Sequence, residues 1–210
     1  LGDELDRAVD AALARLQPDL VVSWFWSRKL PGRWLERGRL GAIGVHPSLL
    51  PRHRGPNPFF WAIDADDAET GVSVHRLTEN YDDGQVLATR RLKIGGRDAW
   101  QLARALDRPS LSALRSVVAD LAEGRVVHEA AQDERLATWA PEPDAERSKV
   151  DFGWPTERVL RRIRALSPQS CLRASWWGPR RVLPAPGRRH GAEHRAHRGC
   201  SSSATPPGCS

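Results

Sequence analysis

The sequence predicts an α/β fold, a mostly parallel sheet with helices packed on its faces. Two observations predict it. Short apolar runs of strand length alternate with segments whose apolar residues recur at helical spacing, the order that builds such a sheet. The first apolar run, Leu20 to Trp24, is continuous rather than alternating, as in a parallel strand covered on both faces. The 210 residues suffice for one domain and are marginal for two.

The elements follow in order. Leu5, Val9, Ala12, Leu13 and Leu16 share one helical face, so Asp3 to Leu16 reads as an amphipathic helix with Asp3 as a candidate cap. The run Leu20 to Trp24 is the first strand, followed by the aromatic and basic loop Trp24 to Pro31. Pro31 opens a short helix to about Glu36. Ala42-Ile43-Gly44-Val45 is a second, buried strand, and His46 stands where it gives way to a loop held extended by Pro47 and Pro51. Phe59 to Ile63 starts a buried helix that ends at the acidic turn Asp64 to Asp67. Gly71 to Leu77 is a strand with Val72 and Val74 on one face, and Val86 to Ile94 another, its Leu92 and Ile94 alternating with Arg91 and Lys93. Helical spacing runs from Asp98 to Leu106, breaks at Pro109 and resumes to Gly124. A last basic amphipathic helix covers Glu157 to Leu166; its four Arg read as a solvated face or, alternatively, as phosphate contacts.

The formal charge of +6 would suggest an anionic partner, but its location weakens that reading. From Cys171 onward there are seven Arg against the single acid Glu193, so positions 1–170 carry equal numbers of basic and acidic residues. All three Cys, at 171, 200 and 209, also lie in that stretch, and a body without Cys fits a reducing cytoplasm. From Cys171 the chain holds mostly Gly, Pro, Ser and Arg with three aliphatics, Leu172, Val182 and Leu183, too few to offset the entropy of ordering. The expected organisation is therefore an α/β domain over 1–125, a closing segment over 126–170 and a disordered tail over 171–210. A zinc site from His190, His194, His197 and Cys200 is a weak reading of that tail. The chain contains no Met, so Leu1 is expected to mark a processed product or a fragment. No apolar run is long enough to span a membrane.

Two stretches carry chemistry. A lone His at a strand end most often merely caps it. Here the surrounding string, His46-Pro47-Ser48-Leu49-Leu50-Pro51 leading to Arg54-Gly55, resembles the signature loop of the folate-dependent formyltransferases. Downstream, Thr70-Gly71-Val72-Ser73 leading to Glu79 and Asp82-Asp83-Gly84 resembles that family's second signature, a strand followed by an acidic D-x-G loop. The resemblance covers roughly Pro18 to Ile94 and implies a Rossmann-like domain, here incomplete at its start, that uses 10-formyltetrahydrofolate and no metal. It implies that His46 and Asp82 are catalytic: His46 facing the formyl oxygen or relaying the amine proton, Asp82 orienting it. It implies a pterin pocket lined by Arg28, Lys29 and Leu30 together with Ser48, Leu49, Leu50 and Pro51. For Trp24 and Trp26 a place in the core is an equal alternative. The loop Ser48 to Gly55 is nearest the branch that formylates the methionine of initiator tRNA, which would put Arg52 and Arg54 on phosphate or simply in solvent. A sugar amine or glycinamide ribonucleotide is an alternative acceptor within the class.

One position departs from the pattern. Where the resemblance implies an Asn, the chain has Gly44. Loss of one preorganised oxyanion donor costs about 2.7–4 kcal/mol of transition-state stabilisation. A backbone N–H, Asn57 or Gln85 could substitute; failing one, the chain is a catalytically impaired relative. A basic nucleic-acid-binding module driven by the tail is the remaining alternative, disfavoured by the neutral body.

Overall fold

A computed structural model of the chain describes residues 3–26 and 29–167, and the backbone of 172–175 and 182–183. Arg28 and the tail's His190, His194, His197 and Cys200 lie outside the described residues. Helix α1 (Asp3–Leu16) leads to strand β1 (Val21–Trp24), the single turn α2 (Gly32–Leu35), β2 (Ala42–His46), α3 (Pro58–Asp64), β3 (Glu69–Arg76), β4 (Val86–Lys93) and the long α4 (Ala99–Ala122). Then come β5 (Lys149–Asp151), α5 (Thr156–Leu166), β6 (Leu172–Ser175) and β7 (Val182–Leu183).

Strands β1 to β4 form one sheet in that order. The β1–β2 pair is parallel, while β2–β3 and β3–β4 are antiparallel, so the expected mostly parallel sheet is a mixed one. For β3–β4 the reason is connection length; β2 and β3 are joined by a longer segment that carries α3, and their reversal is set by tertiary packing. Parallel neighbours need a crossover of about a dozen residues or more, and the loop Leu77 to Gln85 is too short to supply one. The alternation at the end of β4, with Arg91 and Lys93 exposed and interleaved with Leu92 and Ile94, is the pattern of an antiparallel strand with one face in water. β1 is the edge strand of this sheet, and Val22 and Trp24 are accordingly half exposed rather than covered on both faces.

The core lies between this sheet and α3, α4 and α5. Ile43, Val45, Val72 and Val74 from the sheet meet Phe60 and Ile63 of α3, Leu102 and Leu106 of α4 and Leu166 of α5. Burying each such side chain stabilises by about 1.5–3 kcal/mol. Helix α4 starts on a capping box in which Asp98 accepts from the Gln101 N–H and the Gln101 side chain accepts from the Asp98 N–H. It ends at Gly124, whose φ of +67° suits a residue without Cβ. The expected break at Pro109 does not occur, and α4 runs through it. Leu102, Leu106, Ala113 and Val117 form one buried stripe across the proline. The Ser110 hydroxyl donates to Asp107 O and accepts from Trp24 Nε1 of β1, anchoring the same turn. Packing of the stripe outweighs the one lost backbone bond.

The arginines of α5 are not one solvated face: Arg161, Arg162 and Arg164 are tied to the body, and Arg158 is exposed over a Trp ring. Arg162 is buried, forks onto Asp64 at 2.6 and 2.8 Å and stacks over Phe60 and Trp154. Arg161 pairs with Asp66, Arg164 donates to Gly95 O and Arg97 O, and Arg158 lies 4.0 Å above the Trp154 ring. The acidic turn after α3 is thus the receiving half of an interface that fastens the closing segment to the body. Beyond Ser167, the three aliphatics of the expected disordered tail fall within the two described strands, β6 pairing parallel with β5 and β7 antiparallel with β6. The rest of the tail is outside the description.

Candidate active site

The site is built on one face of the sheet. In the antiparallel register of β2 and β3, Gly44 stands opposite His75 and His46 opposite Ser73; β1 places Ser23 beside Gly44. Because side chains alternate along a strand, Gly44, His46, Ser73 and His75 share the face away from Val45 and Val74. A bulge at Val74/His75 marks where β3 and β4 part before the Asp82 loop.

The loop after His46 is locked from beneath. Ser73 Oγ accepts from Leu50 N–H at 3.1 Å and donates to Ser48 O at 2.8 Å, and Ser48 Oγ donates to Arg52 O at 2.6 Å. Arg52 forks onto Asp67, which also takes a bond from His53 Nε2 at 2.7 Å. Burial drives the His53 pKa down, against the raising effect of Asp67. Burial works to raise Asp67, but bonds from Arg52 and His53 hold it below the usual carboxylate value. Arg54 forks onto Glu134 and also donates to Gln132 Oε1, while Gln132 Nε2 donates to the carbonyls of Asp82 and Gly84 at 2.7 Å. The two signature loops are therefore tied together through Arg54 and Gln132.

This scaffold delivers Asp82 to His46. Asp82 has a φ of +53°, and its Oδ2 accepts from the Gly55 N–H at 2.8 Å. His46 Nδ1 lies 3.5 Å from the same Oδ2, and His75 Nε2 lies 3.5 Å from Oδ1. One carboxylate thus faces two imidazoles, whose ring planes cross at 86°. His46 Nε2 sits 2.7 Å from His53 O, a carbonyl that can only accept, so that nitrogen carries a proton. His75 Nδ1 sits 2.9 Å from Arg76 O, and the same reasoning protonates it there. Burial holds the His75 pKa down at about 4, the Asp82 charge opposing. The 3.5 Å separations exceed a made N–H···O bond of about 2.7–3.2 Å, so the carboxylate is poised between the rings rather than bonded to them.

The three groups stand at a cleft of about 760 Å³, counted to its open mouth. Phe25, Trp26, Phe59 and Tyr81 give it aromatic walls, with Lys29 and Leu30 on the rim. Trp26 and Tyr81 are about half exposed, and Tyr81 meets Trp139 edge to face.

Comparison with known proteins decides the family. The profile of the formyl transferase family matches residues 2–117, more than half of the chain. The chain belongs to the formyl transferase family. Methionyl-tRNA formyltransferase from Pseudomonas syringae pv. syringae is 37% identical over 164 residues, 78% of this chain and 52% of the relative. That from Phenylobacterium zucineum is 40% identical over 167 residues, covering 78% and 53%. The chain thus spans about half the length of these curated relatives. Among solved structures, HypX from Aquifex aeolicus in complex with tetrahydrofolic acid superposes with a TM-score of 0.71 at 25% identity, over 82% of this chain and 30% of that one. A likely sugar N-formyltransferase from Mycobacterium tuberculosis matches with a TM-score of 0.69 over 84% of this chain and 78% of its own; at 18% identity it speaks for the fold alone.

Of the residues singled out in the sequence of this formyl transferase, His46, Asp82, Lys29 and Leu30 meet at the cleft. Ser48 is fully buried with its hydroxyl committed to Arg52 O, and it, Leu49, Leu50 and Pro51 do not line the cleft. They shape the loop from behind. Neither amide expected to stand in for the missing Asn reaches the site. Asn57 caps α3 and donates to Glu142, and Gln85 does not line the cleft. His75 and Gln132 were missed. The alternation that put Val72 and Val74 on one face of β3 already put His75 on the other.

Proposed function

We propose that this chain transfers the formyl group of 10-formyltetrahydrofolate to an amine, with the methionine of initiator tRNA as acceptor, in the cytoplasm. The observation that carries the reading is the convergence of His46 and Asp82 at an aromatic-walled cleft, in a chain of the formyl transferase family. The identities to methionyl-tRNA formyltransferases support the acceptor. The HypX structure with tetrahydrofolic acid supports a folate as donor. Phe25, Phe59 and Tyr81 are suited to a flat pterin, and Lys29 at the rim to a carboxylate or phosphate.

In this reaction the amine nitrogen attacks the formyl carbon, the carbonyl oxygen gains charge, and the bond to the folate nitrogen breaks. His46 is held at Nε2 by the His53 carbonyl, so Nδ1 is the nitrogen that serves the reaction. Protonated there and balanced by Asp82, it donates to the developing oxyanion. Asp82, itself fixed by the Gly55 N–H, supplies the counter-charge. Arg52 and Arg54 are committed to Asp67 and Glu134, so contact with tRNA phosphate falls to other groups.

The test is folate-dependent formylation by the purified chain across methionyl initiator tRNA, an amino sugar nucleotide and glycinamide ribonucleotide. Formylation of the tRNA above the others is expected. Preference for either small amine would overturn the acceptor, and no turnover with any of the three would overturn the reaction.

A further inference from the structure

His75 is the most deeply placed ionisable side chain in the cleft. Its ring is buried, and it lies across the one residue in the row with no side chain. A Cβ on Gly44 would stand 2.8 Å from His75 Nε2 and 3.2 Å from Cε1. Gly44 is thus the space into which the imidazole extends.

The hydrogen bonds fix what that imidazole offers. Nδ1–H donates to Arg76 O, so in the neutral ring Nε2 holds a bare lone pair. That lone pair faces Asp82 Oδ1 across 3.5 Å. With the carboxyl ionised, both atoms are acceptors. Two acceptors this close, opening on one cleft, can each take a hydrogen of one primary amine. Burial keeps the ring neutral near pH 7, which preserves the lone pair.

Resting on the formyl-transfer reading, we propose that His75 is a catalytic residue that takes the proton from the acceptor amine, with Asp82 Oδ1 holding that amine's second hydrogen. As the acceptor nitrogen bonds to the formyl carbon, its N–H becomes strongly acidic and the proton passes to His75 Nε2. The bond from the formyl carbon to the donor's nitrogen then breaks, and the same proton goes to that nitrogen, so the imidazole ends as it began. His46 and His75 divide the work across one carboxylate, the first facing the oxygen and the second the nitrogen. Gly44 is what admits the second ring.

The test compares the parent with His75→Ala in the formylation assay, with and without added imidazole or pyrazole, a ring of the same shape and far weaker basicity. His75→Ala is expected to lower kcat/KM by about 10²–10⁴-fold, the usual range for a positioned acid–base group. Imidazole should restore activity and pyrazole should not. Unchanged activity in the variant, or equal rescue by pyrazole, overturns the proposal. Should the parent formylate no amine, the function proposed above fails separately, and ¹⁵N NMR of the parent's imidazoles still tests the tautomer that this inference requires. At pH 7 His75 is expected as the neutral Nδ1–H tautomer, and an Nε2–H tautomer or a charged ring overturns the assignment.

Discussion

Adding a single methyl group at Gly44 tests the packing on which the site depends. The new Cβ would lie 2.8 Å from both His75 Nε2 and Leu77 Cδ2, against an ordinary non-bonded separation of about 3.5–4.0 Å. Both neighbours must withdraw. Leu77 is half-buried and can turn aside, but His75 is buried and tethered through Nδ1 to Arg76 O at 2.9 Å. Overpacking of this kind costs about 1–3 kcal/mol, so Gly44→Ala should lower the urea-unfolding free energy by that amount with the denaturant slope unchanged. The cost should shrink by about 1 kcal/mol when measured in a His75→Ala background, because residues in contact couple at that scale. A Gly44→Ala cost below about 0.5 kcal/mol, the range of an indifferent surface change, would refute the reasoning. So would an identical cost in both backgrounds.

Three further outcomes are expected. His75 titrates at about 4 in the folded chain against about 6.5 unfolded, so the unfolded chain takes up the proton first. Its contribution is therefore complete above pH 6.5 and is lost as the pH falls toward 4, a drop of about 3 kcal/mol. The lowered His53 acts in the same direction, and His75→Met should flatten the His75 share of a stability-versus-pH curve. Arg162→Ala leaves the nearly buried Asp64 without its partner and should cost about 3 kcal/mol by chemical unfolding, whereas a surface pair such as Arg39–Asp19 should cost under about 1. Leu102→Ala opens a fully buried site beneath the sheet and should cost about 2–5 kcal/mol in the same measurement.

Much of this was legible in the residues because local patterns dominate where the chain makes its own contacts. The bounds of α1 follow from its apolar spacing, and β3 and β4 from their alternation. The pairing of His46 with Asp82 was legible only through resemblance, since the Gly55 N–H and Gln132, which fix Asp82, come from other parts of the chain. The mixed sheet was not legible: Leu92 and Ile94 alternating with Arg91 and Lys93 marked β4 as a half-exposed strand, but the expected sheet was mostly parallel, and the reversal between β2 and β3 is set by tertiary packing. The continuity of α4 through Pro109 and the commitment of the α5 arginines are likewise long-range effects, decided by Trp24 and by Asp64 and Asp66. His75 was hidden because a histidine inside a strand reads as core until its cross-strand neighbour is known to be a glycine.

The most direct test of the His46–Asp82 centre is the turnover of 10-formyltetrahydrofolate by Asp82→Asn beside the parent, with donor affinity measured on the same samples. The variant should bind the donor as the parent does and lose about 10²–10⁴-fold in kcat, as expected for a group that acts on the reacting atoms. Equal turnover by the two proteins would show that the carboxylate between the two imidazoles is not where the chemistry happens.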